Sequence, residues 1–332
     1  MSLPAALIAS THNKALEDTL RARLAARAPP GGQWGSLEDV AVQIGLVQRS
    51  AMPRFHQPSL HLFAADHGLA LDGAGQAWAL PTSQRAMLAL QARLPCAWLA
   101  RSNGLTLNVV DCGMADDLPA HPMLQPRKLA HGSRNPRLGH ALSKDQVQAA
   151  LRVGMELAEA HPGNAMAVAA IGQGAAEIGA LLLARLEGRP LVELWPARGN
   201  PLALQAAQAA LNRHPPSADP IDTLAALGGH DIATMAGVLL AGASRRRVLL
   251  VDGMAACAAL RVAARLAPAV TDYVVFCRSS AGPDMDTALR GFSAAALADL
   301  GLNGLDGDGA ALTWPWVRSA AALLSEGHDL PR

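Results

Sequence analysis

Residues 165–174, Ala-Met-Ala-Val-Ala-Ala-Ile-Gly-Gln-Gly, carry the clearest indication of fold class in this 332-residue chain. An unbroken run of apolar residues from 165 to 171 is typical of a strand buried on both faces, as in parallel sheets. The stretch Gly172-Gln173-Gly174 then supplies a turn. Although residues 165–183 approach the length of a membrane span, Gln173 and Glu177 interrupt them. We therefore interpret the segment as a buried strand, a glycine loop and a buried helix.

Four further short apolar runs have the same character. Each is rich in Val, Leu or Ala and is followed at once by a polar residue or a glycine, which predicts buried strands at 60–65, 105–110, 247–251 and 273–276. Helical stretches alternate with the strands, and the one at 143–160 opens with Ser143 and Gln146 in capping-box spacing. The alternation predicts an α/β fold with a doubly wound, mostly parallel sheet and helices on both faces.

The two ends of the chain differ from this pattern. Three alanine-rich or amphipathic stretches predict helices at 14–27, 37–48 and 310–325, the last of them broken near Pro315. The segments 118–126 and 214–217 are predicted linkers. We therefore divide the chain into an α/β core of residues 51–290 and a small helical domain built from residues 1–50 and 291–332.

Composition excludes several classes of protein. Hydrophobic residues make up 51% of the chain and charged residues 17%, which excludes a disordered chain. The formal net charge of +1 leaves no basic excess for nucleic acid, and no segment is typical of a membrane span or a signal peptide. The four cysteines are scattered without a C-x-x-C pair, which predicts reduced thiols and a cytoplasmic protein.

The residues that follow the predicted strands are small, flexible or acidic. Ligands of doubly wound sheets gather outside the carboxyl ends of the strands, so these residues are candidates for binding; they are 66–68, 111–113, 172–174, 252–253 and 277–280. The alternative is that Asp and Gly simply end strands and cap helices. Gly172, Gln173 and Gly174 resemble a phosphate-binding turn that leads into a helix. A second phosphate contact is predicted at Arg198, Gly199 and Asn200, after a predicted strand at 190–195.

Several segments, taken in order, resemble the family of nicotinate-nucleotide–dimethylbenzimidazole phosphoribosyltransferases. They are 29–31 with 35–38, 63–68, 109–113, 132–135, 219–233, 251–253 and 306–312. The resemblance implies a Rossmann-like large domain, a small helical domain and a homodimer whose active sites involve both subunits. It implies that a benzimidazole-type nitrogen displaces nicotinate from the ribose of nicotinate mononucleotide, giving α-ribazole phosphate without a redox cofactor. We identify no set of metal ligands in the sequence.

The resemblance also assigns roles to single residues. Asp306 occupies the position of the family's C-terminal glutamate base, and Glu177 is a second candidate acid if the glycine loop is rebuilt. The acceptor pocket is assigned to Asp66, Trp78, Gln84 and Leu305. Gly172, Gln173 and Gly174 fall in the family's central loop, and Arg198, Gly199 and Asn200 fall in its arginine-glycine loop.

This sequence departs from the family at several of these positions. Gln173 replaces an acid of the central loop, Asp306 is one methylene shorter than glutamate, and the lysine that follows the arginine-glycine loop has no counterpart. Two main hypotheses follow, and an unrelated α/β enzyme is the third. The chain is an active phosphoribosyltransferase, with dimethylbenzimidazole or a related acceptor, or it is a catalytically weak paralogue that binds a nucleotide or a partner subunit, such as an intact homologue.

Overall fold

The computed structural model of the chain describes residues 8–29, 32–75, 80–280, 282–302 and 307–327. Six parallel strands form the central sheet in the order β3-β2-β1-β4-β5-β6. Their bounds are β1 Ser59–Ala65, β2 Thr106–Gly113, β3 Leu124–Pro126, β4 Ala165–Ala170, β5 Val248–Val251 and β6 Val274–Phe276. A separate parallel pair consists of β7, Arg278–Ser280, and β8, Ala298–Leu302. The predicted mostly parallel α/β sheet is confirmed.

Helices cover both faces of this sheet. In chain order they are α1 Lys14–Arg27, α2 Ser36–Gln48, α3 Thr82–Leu90, α4 Pro95–Ser102, α5 Lys144–Ala160, α6 Ala175–Glu187, α7 Leu191–Leu194, α8 Pro201–Arg213, α9 Pro220–Leu227, α10 His230–Ser244, α11 Met254–Leu266, α12 Pro283–Gly291 and α13 Asp308–Ser325. The end of α5 lies over the face of β1 that carries His61. Gly307, at the start of α13, approaches Leu62 on the opposite face. Since side chains alternate along a strand, α5 and α13 flank the sheet on its two sides.

The five predicted strands are confirmed, with ends shifted by a few residues. The structure adds β3, which lies inside the segment 118–126 that we predicted as a linker, so that prediction was wrong at its end. β3 is three residues long and ends in Pro126, which suits an edge strand because proline donates no ladder hydrogen bond. A strand this short carries too few residues for a periodicity signal.

The predicted strand at 190–195 is wrong, because these residues form the short helix α7. Pro190 stands at its N-cap with φ of −58°, an angle suited to the start of a helix. A short apolar run does not distinguish a strand from a helical turn by periodicity.

The predicted break near Pro315 is also wrong, since α13 runs through that residue without interruption. Proline lacks the N–H that would bond the carbonyl of Ala311 one turn earlier. Asn103, just after α4, supplies the missing donor, and its Nδ2 lies 3.0 Å from the Ala311 oxygen. Tertiary packing thus replaces the hydrogen bond that the proline removes.

The helices predicted at 14–27 and 37–48 are confirmed as α1 and α2, and they pack against each other and against α13. The capping box is also confirmed: Ser143 Oγ accepts the N–H of Gln146, whose side chain accepts the N–H of Ser143. The division into a core of residues 51–290 and a helical domain remains a prediction. Within the described residues, no helix is both long enough and apolar enough to cross a bilayer.

Candidate active site

The strand order changes direction between β1 and β4, and we call the region at the carboxyl ends of these two strands the crevice. β2 and β3 continue the sheet on one side of it, and β5 and β6 continue it on the other. In doubly wound sheets, ligands bind in such a crevice. The segments 66–68 and 172–174, both predicted as binding positions, follow the two strands that border it.

Thr82, the first residue of α3, joins these two segments. Its hydroxyl donates to Asp66 Oδ1 at 2.5 Å and accepts the backbone N–H of Gln173 at 2.9 Å. The second oxygen of Asp66 accepts the N–H of Ala115 at 2.7 Å. Asp66 is therefore held through both carboxylate oxygens. Nothing in the sequence distinguishes Thr82 as a site residue, because a threonine after a proline signals only the start of a helix.

Glu177 is buried in the first turn of α6, where its Oε1 accepts the backbone N–H of Gly75 at 2.9 Å. Gly75 has φ of +71°, and a Cβ at that residue would lie 2.3 Å from the nitrogen of Gly174. The backbone at Gly75 therefore lies directly on the predicted phosphate loop. The hydrogen bond from the Gly75 N–H to Glu177 holds the backbone at Gly75 in this position. The catalytic role of Glu177 remains a prediction.

Gly172 permits the close approach of the two strand ends at the switch point. A Cβ on Gly172 would lie 2.1 Å from the carbonyl oxygen of Ala65, the last residue of β1. A side chain at this position would push β1 and β4 apart. Glycine is therefore required at position 172 for the packing of β1 against β4, independently of any contact between its backbone and a ligand.

A buried ion pair lies just beyond the carboxyl end of β1. His67 Nε2 lies 3.2 Å from Asp231 Oδ2, and both side chains are fully buried. Burial by itself lowers the pKa of His67, but the charge and hydrogen bond of Asp231, helped by Asp66 and Glu177, outweigh it and raise that pKa above its usual value. The pair links the end of β1 to the start of α10. Sequence reasoning noted 66–68 but had no means of pairing His67 with a residue so distant in the chain.

Two cations lie at this edge of the sheet. Arg85 is buried, and its Nε donates to the carbonyl of Leu80 at 2.9 Å. Burial lowers the pKa of Arg85, opposed by the charges of Glu177 and Asp66. Lys128 forms ion pairs with Asp111 and Asp117, at 3.4 and 2.5 Å. Sequence reasoning assigned no role to either cation.

Asp111 and the arginine-glycine loop have structural partners. Asp111 Oδ1 accepts the N–H groups of Gly113 and Met114, so it stabilises the turn after β2. Asn200 Oδ1 accepts the N–H of Leu202 at 2.9 Å and caps α8. Gly199 packs against the indole of Trp195, and the side chain of Arg198 is exposed. Gln84 is also exposed, on α3 between Thr82 and Arg85. The roles of these residues in ligand binding remain predictions.

Three predicted site residues, Trp78, Leu305 and Asp306, lie outside the described residues. The residue that follows Asp306 in the chain is nevertheless well anchored. Asp252 Oδ2, at the carboxyl end of β5, accepts the N–H of Gly307 at 2.7 Å and that of Ala310 at 3.0 Å. A carboxylate at the N-terminus of a helix is electrostatically favourable. Asp252 therefore brings the start of α13 to the same edge of the sheet as the crevice.

In the part of the chain that the structure describes, no group of three or more His, Cys, Asp or Glu residues is arranged to hold a metal ion. The four cysteines are all buried. Desolvation raises the pKa of the Cys112 thiol well above its usual value. The carboxylates, amide groups and cations at the sheet edge are suited to binding a polar, phosphorylated molecule and to accepting a proton.

A family model described as phosphoribosyltransferase matches residues 9–330. The chain belongs to this phosphoribosyltransferase family. It is 37% identical over 328 residues to the nicotinate-nucleotide–dimethylbenzimidazole phosphoribosyltransferase of Variovorax paradoxus, covering 96% of this chain and 93% of that protein. The enzyme of the same name from Cupriavidus necator is 38% identical over 325 residues, covering 94% of each chain.

Solved structures agree with this family assignment. The nicotinate-nucleotide–dimethylbenzimidazole phosphoribosyltransferase of Thermus thermophilus superimposes with a TM-score of 0.88 at 28% identity, covering 94% of this chain and 96% of that chain. The resemblance read from the sequence is therefore confirmed, and the phosphoribosyltransferase fold spans almost the whole molecule.

Proposed function

We propose that this chain transfers the ribose phosphate of nicotinate mononucleotide to dimethylbenzimidazole or a related azole, giving α-ribazole phosphate and nicotinate. The observation that supports it most strongly is the full-length similarity to enzymes named for this reaction, 37 and 38% identical over nearly all of their length. The crevice between β1 and β4 supports it too, because it brings carboxylates and cations to the edge where doubly wound sheets bind phosphorylated ligands.

The reaction is a substitution at C1 of the ribose. The azole nitrogen forms a new bond to C1 while the bond from C1 to the nicotinate nitrogen breaks, and nicotinate leaves with that electron pair. The azole N–H proton must pass to a base, and a positioned carboxylate serves this purpose. Two carboxylates are candidates for it, Asp306 and Glu177. Asp306 is favoured because Asp252 anchors the next residue, Gly307, at the sheet edge.

The remaining site residues are proposed in two groups. The acceptor pocket is assigned to Asp66, Trp78, Gln84 and Leu305. The fixed orientation of Asp66, through Thr82 and the N–H of Ala115, supports its role, since a rigid carboxylate can orient a flat ring. The phosphate site is assigned to Gly172, Gln173, Gly174, Arg198, Gly199 and Asn200, and the exposed guanidinium of Arg198 supports that assignment.

We further propose that the chain acts in the cytoplasm as a homodimer. Large apolar side chains are exposed close to the crevice: Leu71, which follows 66–68, is 88% exposed, and Leu202, at the start of α8, is 67% exposed. α8 packs against the helical turn that carries Leu71, so the two leucines lie on neighbouring elements. Covering such a patch favours association. Light scattering at micromolar concentration should report a dimer, and a monomer would contradict this proposal.

A turnover assay tests the proposed reaction. Wild-type protein incubated with nicotinate mononucleotide and dimethylbenzimidazole should release nicotinate and α-ribazole phosphate in equal amounts, measured by chromatography. Asp306→Asn removes the base and keeps its shape, so turnover should fall about 10²–10⁴-fold while nucleotide affinity changes little. Glu177→Gln is the matched control, because the amide oxygen can still accept the Gly75 N–H. If Glu177→Gln causes the larger loss, Glu177 is the base.

The second candidate is a paralogue that binds the nucleotide without efficient catalysis. The neutral Gln173 favours it, since this residue stands where the family carries an acid and its N–H is occupied by Thr82. Calorimetry with nicotinate mononucleotide distinguishes the two functions. Tight binding with no turnover by the wild type would overturn the proposed activity and support this second candidate.

A further inference from the structure

A cavity of about 460 Å³ lies beside the first half of β1, away from the crevice. It is lined on the sheet side by Ser59 and His61 of β1, Thr106 and Asn108 of β2, and Gln125 and Arg127 at β3. The register pairs Ser59 with Thr106 and His61 with Asn108, so these side chains share one face of the sheet. β1 has seven residues, so its two ends are about 20 Å apart and the cavity is separate from the candidate active site.

The polar character of this sheet face is unusual for a buried parallel sheet. The opposite face of the same strands carries apolar residues such as Leu60, Leu62 and Leu107, as a buried face normally does. On the cavity side, Gln125 Nε2 donates to Asn108 Oδ1 at 3.1 Å, so two amide groups are already oriented across β2 and β3. A row of polar side chains that faces the end of α5 across a cavity indicates a binding surface.

His61 provides an independent indication of a ligand. Its side chain is 3% exposed, its Nε2 lies 2.9 Å from Ser59 Oγ, and its Nδ1 has no hydrogen-bond partner among the described residues. The hydroxyl of Ser59 also lies 3.3 Å from His161 Nε2. Buried polar atoms without partners are rare in folded proteins because each forfeits its hydration. A polar group entering this cavity would complete the hydrogen bonding of the cluster.

The charge of the lining selects an anion. Arg127 is cationic, and no carboxylate belongs to the described lining. Arg247 lies behind the two imidazoles, and its guanidinium is held by the carbonyls of Ala158, His161 and Gly163. The wall opposite the sheet is apolar, formed by Leu157, Ala160 and Pro162. A ligand that suits both walls has an anionic, hydrogen-bonding edge and a flat apolar body.

We propose that this cavity is a second ligand site, which binds a small aromatic carboxylate with its carboxylate toward Arg127 and Asn108 and its ring against Leu157 and Pro162. The cavity volume lies within the range of small-molecule sites, roughly 300–1,000 Å³, and exceeds what one aromatic ring needs. The guanidinium and the Asn108 amide are both donors for a carboxylate. The site is independent of the proposed transferase activity, since none of its residues belongs to the crevice.

Calorimetric titration with benzoate tests the proposal, with benzamide as the uncharged analogue of the same shape. Benzoate should bind the wild type, and benzamide should bind about tenfold more weakly, because it lacks the charge that Arg127 recognises. Arg127→Gln should weaken benzoate binding by about tenfold. Arg152→Gln, which removes an exposed arginine elsewhere on α5, is the matched control and should change the affinity less than about twofold.

A variant that fills the cavity separates this site from the crevice. Asn108→Leu places an apolar side chain between the strands and α5, so it should abolish benzoate binding while leaving transferase turnover unchanged. Circular dichroism melting checks that Asn108→Leu is folded. If it is not folded, Arg127→Gln still tests benzoate binding, because Arg127 is exposed and its substitution leaves the core unchanged. The proposal is overturned if benzoate fails to bind the wild type at about 10 mM, a concentration far above typical ligand-site constants. It is also overturned if Arg127→Gln and Asn108→Leu bind benzoate as the wild type does.

Discussion

His67 Nε2 and Asp231 Oδ2 lie 3.2 Å apart, 164 residues apart in the chain, with both side chains fully buried. The contact joins the carboxyl end of β1 to the first turn of α10. A Cβ on Gly174 would lie 3.7 Å from His67 Cβ, so the same residue also packs against the glycine loop. This buried pair therefore connects the end of β1 to α10, and His67 also contacts the glycine loop at Gly174.

Removing the anion of this pair should destabilise the protein strongly. Asp231→Asn leaves His67 without its charged partner, and breaking a buried pair in this way costs about 3–5 kcal/mol. Because the folded-state pKa of His67 is raised, its contribution is complete below the unfolded value near 6.5 and is lost as the pH rises through the folded value. Urea unfolding should therefore show a larger difference between wild type and Asp231→Asn at pH 6 than at pH 9. An equal difference at both pH values would contradict an ionised pair.

His61 should make the protein sensitive to acid. Burial, with the charges of His161 and Arg247, lowers the pKa of His61 to about 3. Below pH 6.5 the unfolded chain binds a proton that the folded chain does not, so this group lowers the free energy of unfolding by about 1.4 kcal/mol per pH unit as the pH falls toward 3. His61→Gln should flatten the pH dependence of urea unfolding between pH 6 and 4. His12→Gln, at an exposed histidine, is the control for the loss of an imidazole.

The hydroxyl of Thr82 should be required for an ordered crevice. Thr82→Val keeps the shape of the side chain but leaves Asp66 Oδ1 and the N–H of Gln173 without their partner. We expect a loss of about 10- to 100-fold in kcat/KM for the proposed reaction, in line with the loss of a positioning contact. Thr82→Ser restores the hydroxyl and should recover most of the activity. A Thr82→Val variant as active as the wild type would show that the hydroxyl bridge is not required.

Asn103 and Pro315 should be energetically coupled. Asn103→Ala leaves the Ala311 carbonyl without a donor, which costs about 1–3 kcal/mol for a buried group. Pro315→Ala restores a backbone N–H that can reach the same carbonyl. In the double variant, Asn103→Ala should therefore cost clearly less than it does alone. Denaturant unfolding of the four proteins measures this coupling, and additive effects would exclude it.

Two glycines with similar backbone angles allow the cost of backbone strain to be measured separately from the cost of a steric clash. Gly75 and Gly104 have φ of +71° and +77°, but a Cβ on Gly104 meets nothing within 4 Å, whereas on Gly75 it meets Gly174. Gly104→Ala should cost about 1 kcal/mol of stability from backbone strain alone. Gly75→Ala should cost about 1–3 kcal/mol more, because the loop must move off the glycine turn. Thermal unfolding compares the two, and equal losses would contradict the close packing of Gly75.

Local sequence was sufficient for most of the secondary structure. The strands β1, β2, β4, β5 and β6 and the helices α1, α2 and α5 follow from apolar runs, helical periodicity and a capping box, all of which act over a few residues. The exceptions have two different causes. The residues of α7 and β3 are too few to show a period, and Pro315 is accommodated by Asn103 from another part of the fold.

The candidate site was predicted only in outline. The segments 66–68 and 172–174 were identified because parallel strands bring their carboxyl ends to one edge. Thr82, Arg85 and Asp231 were not identified, since each acquires its role from a partner in another element. The cavity at Ser59 and His61 was missed for the same reason, because polar residues in a short strand do not reveal a cavity between that strand and α5.

Most strands of the central sheet, the fold class and the family could be read from the amino-acid order alone, because hydrophobic periodicity and ordered motifs are properties of neighbouring residues. The reversal of strand order between β1 and β4, and with it which side chains meet, became known only from the folded chain. The hydrogen bond from Thr82 to Asp66, the ion pair of His67 with Asp231 and the anchoring of Gly307 by Asp252 depend on that order. Each joins residues from separate elements, and the free energy of such a contact exists only once the sheet has brought the two partners within reach.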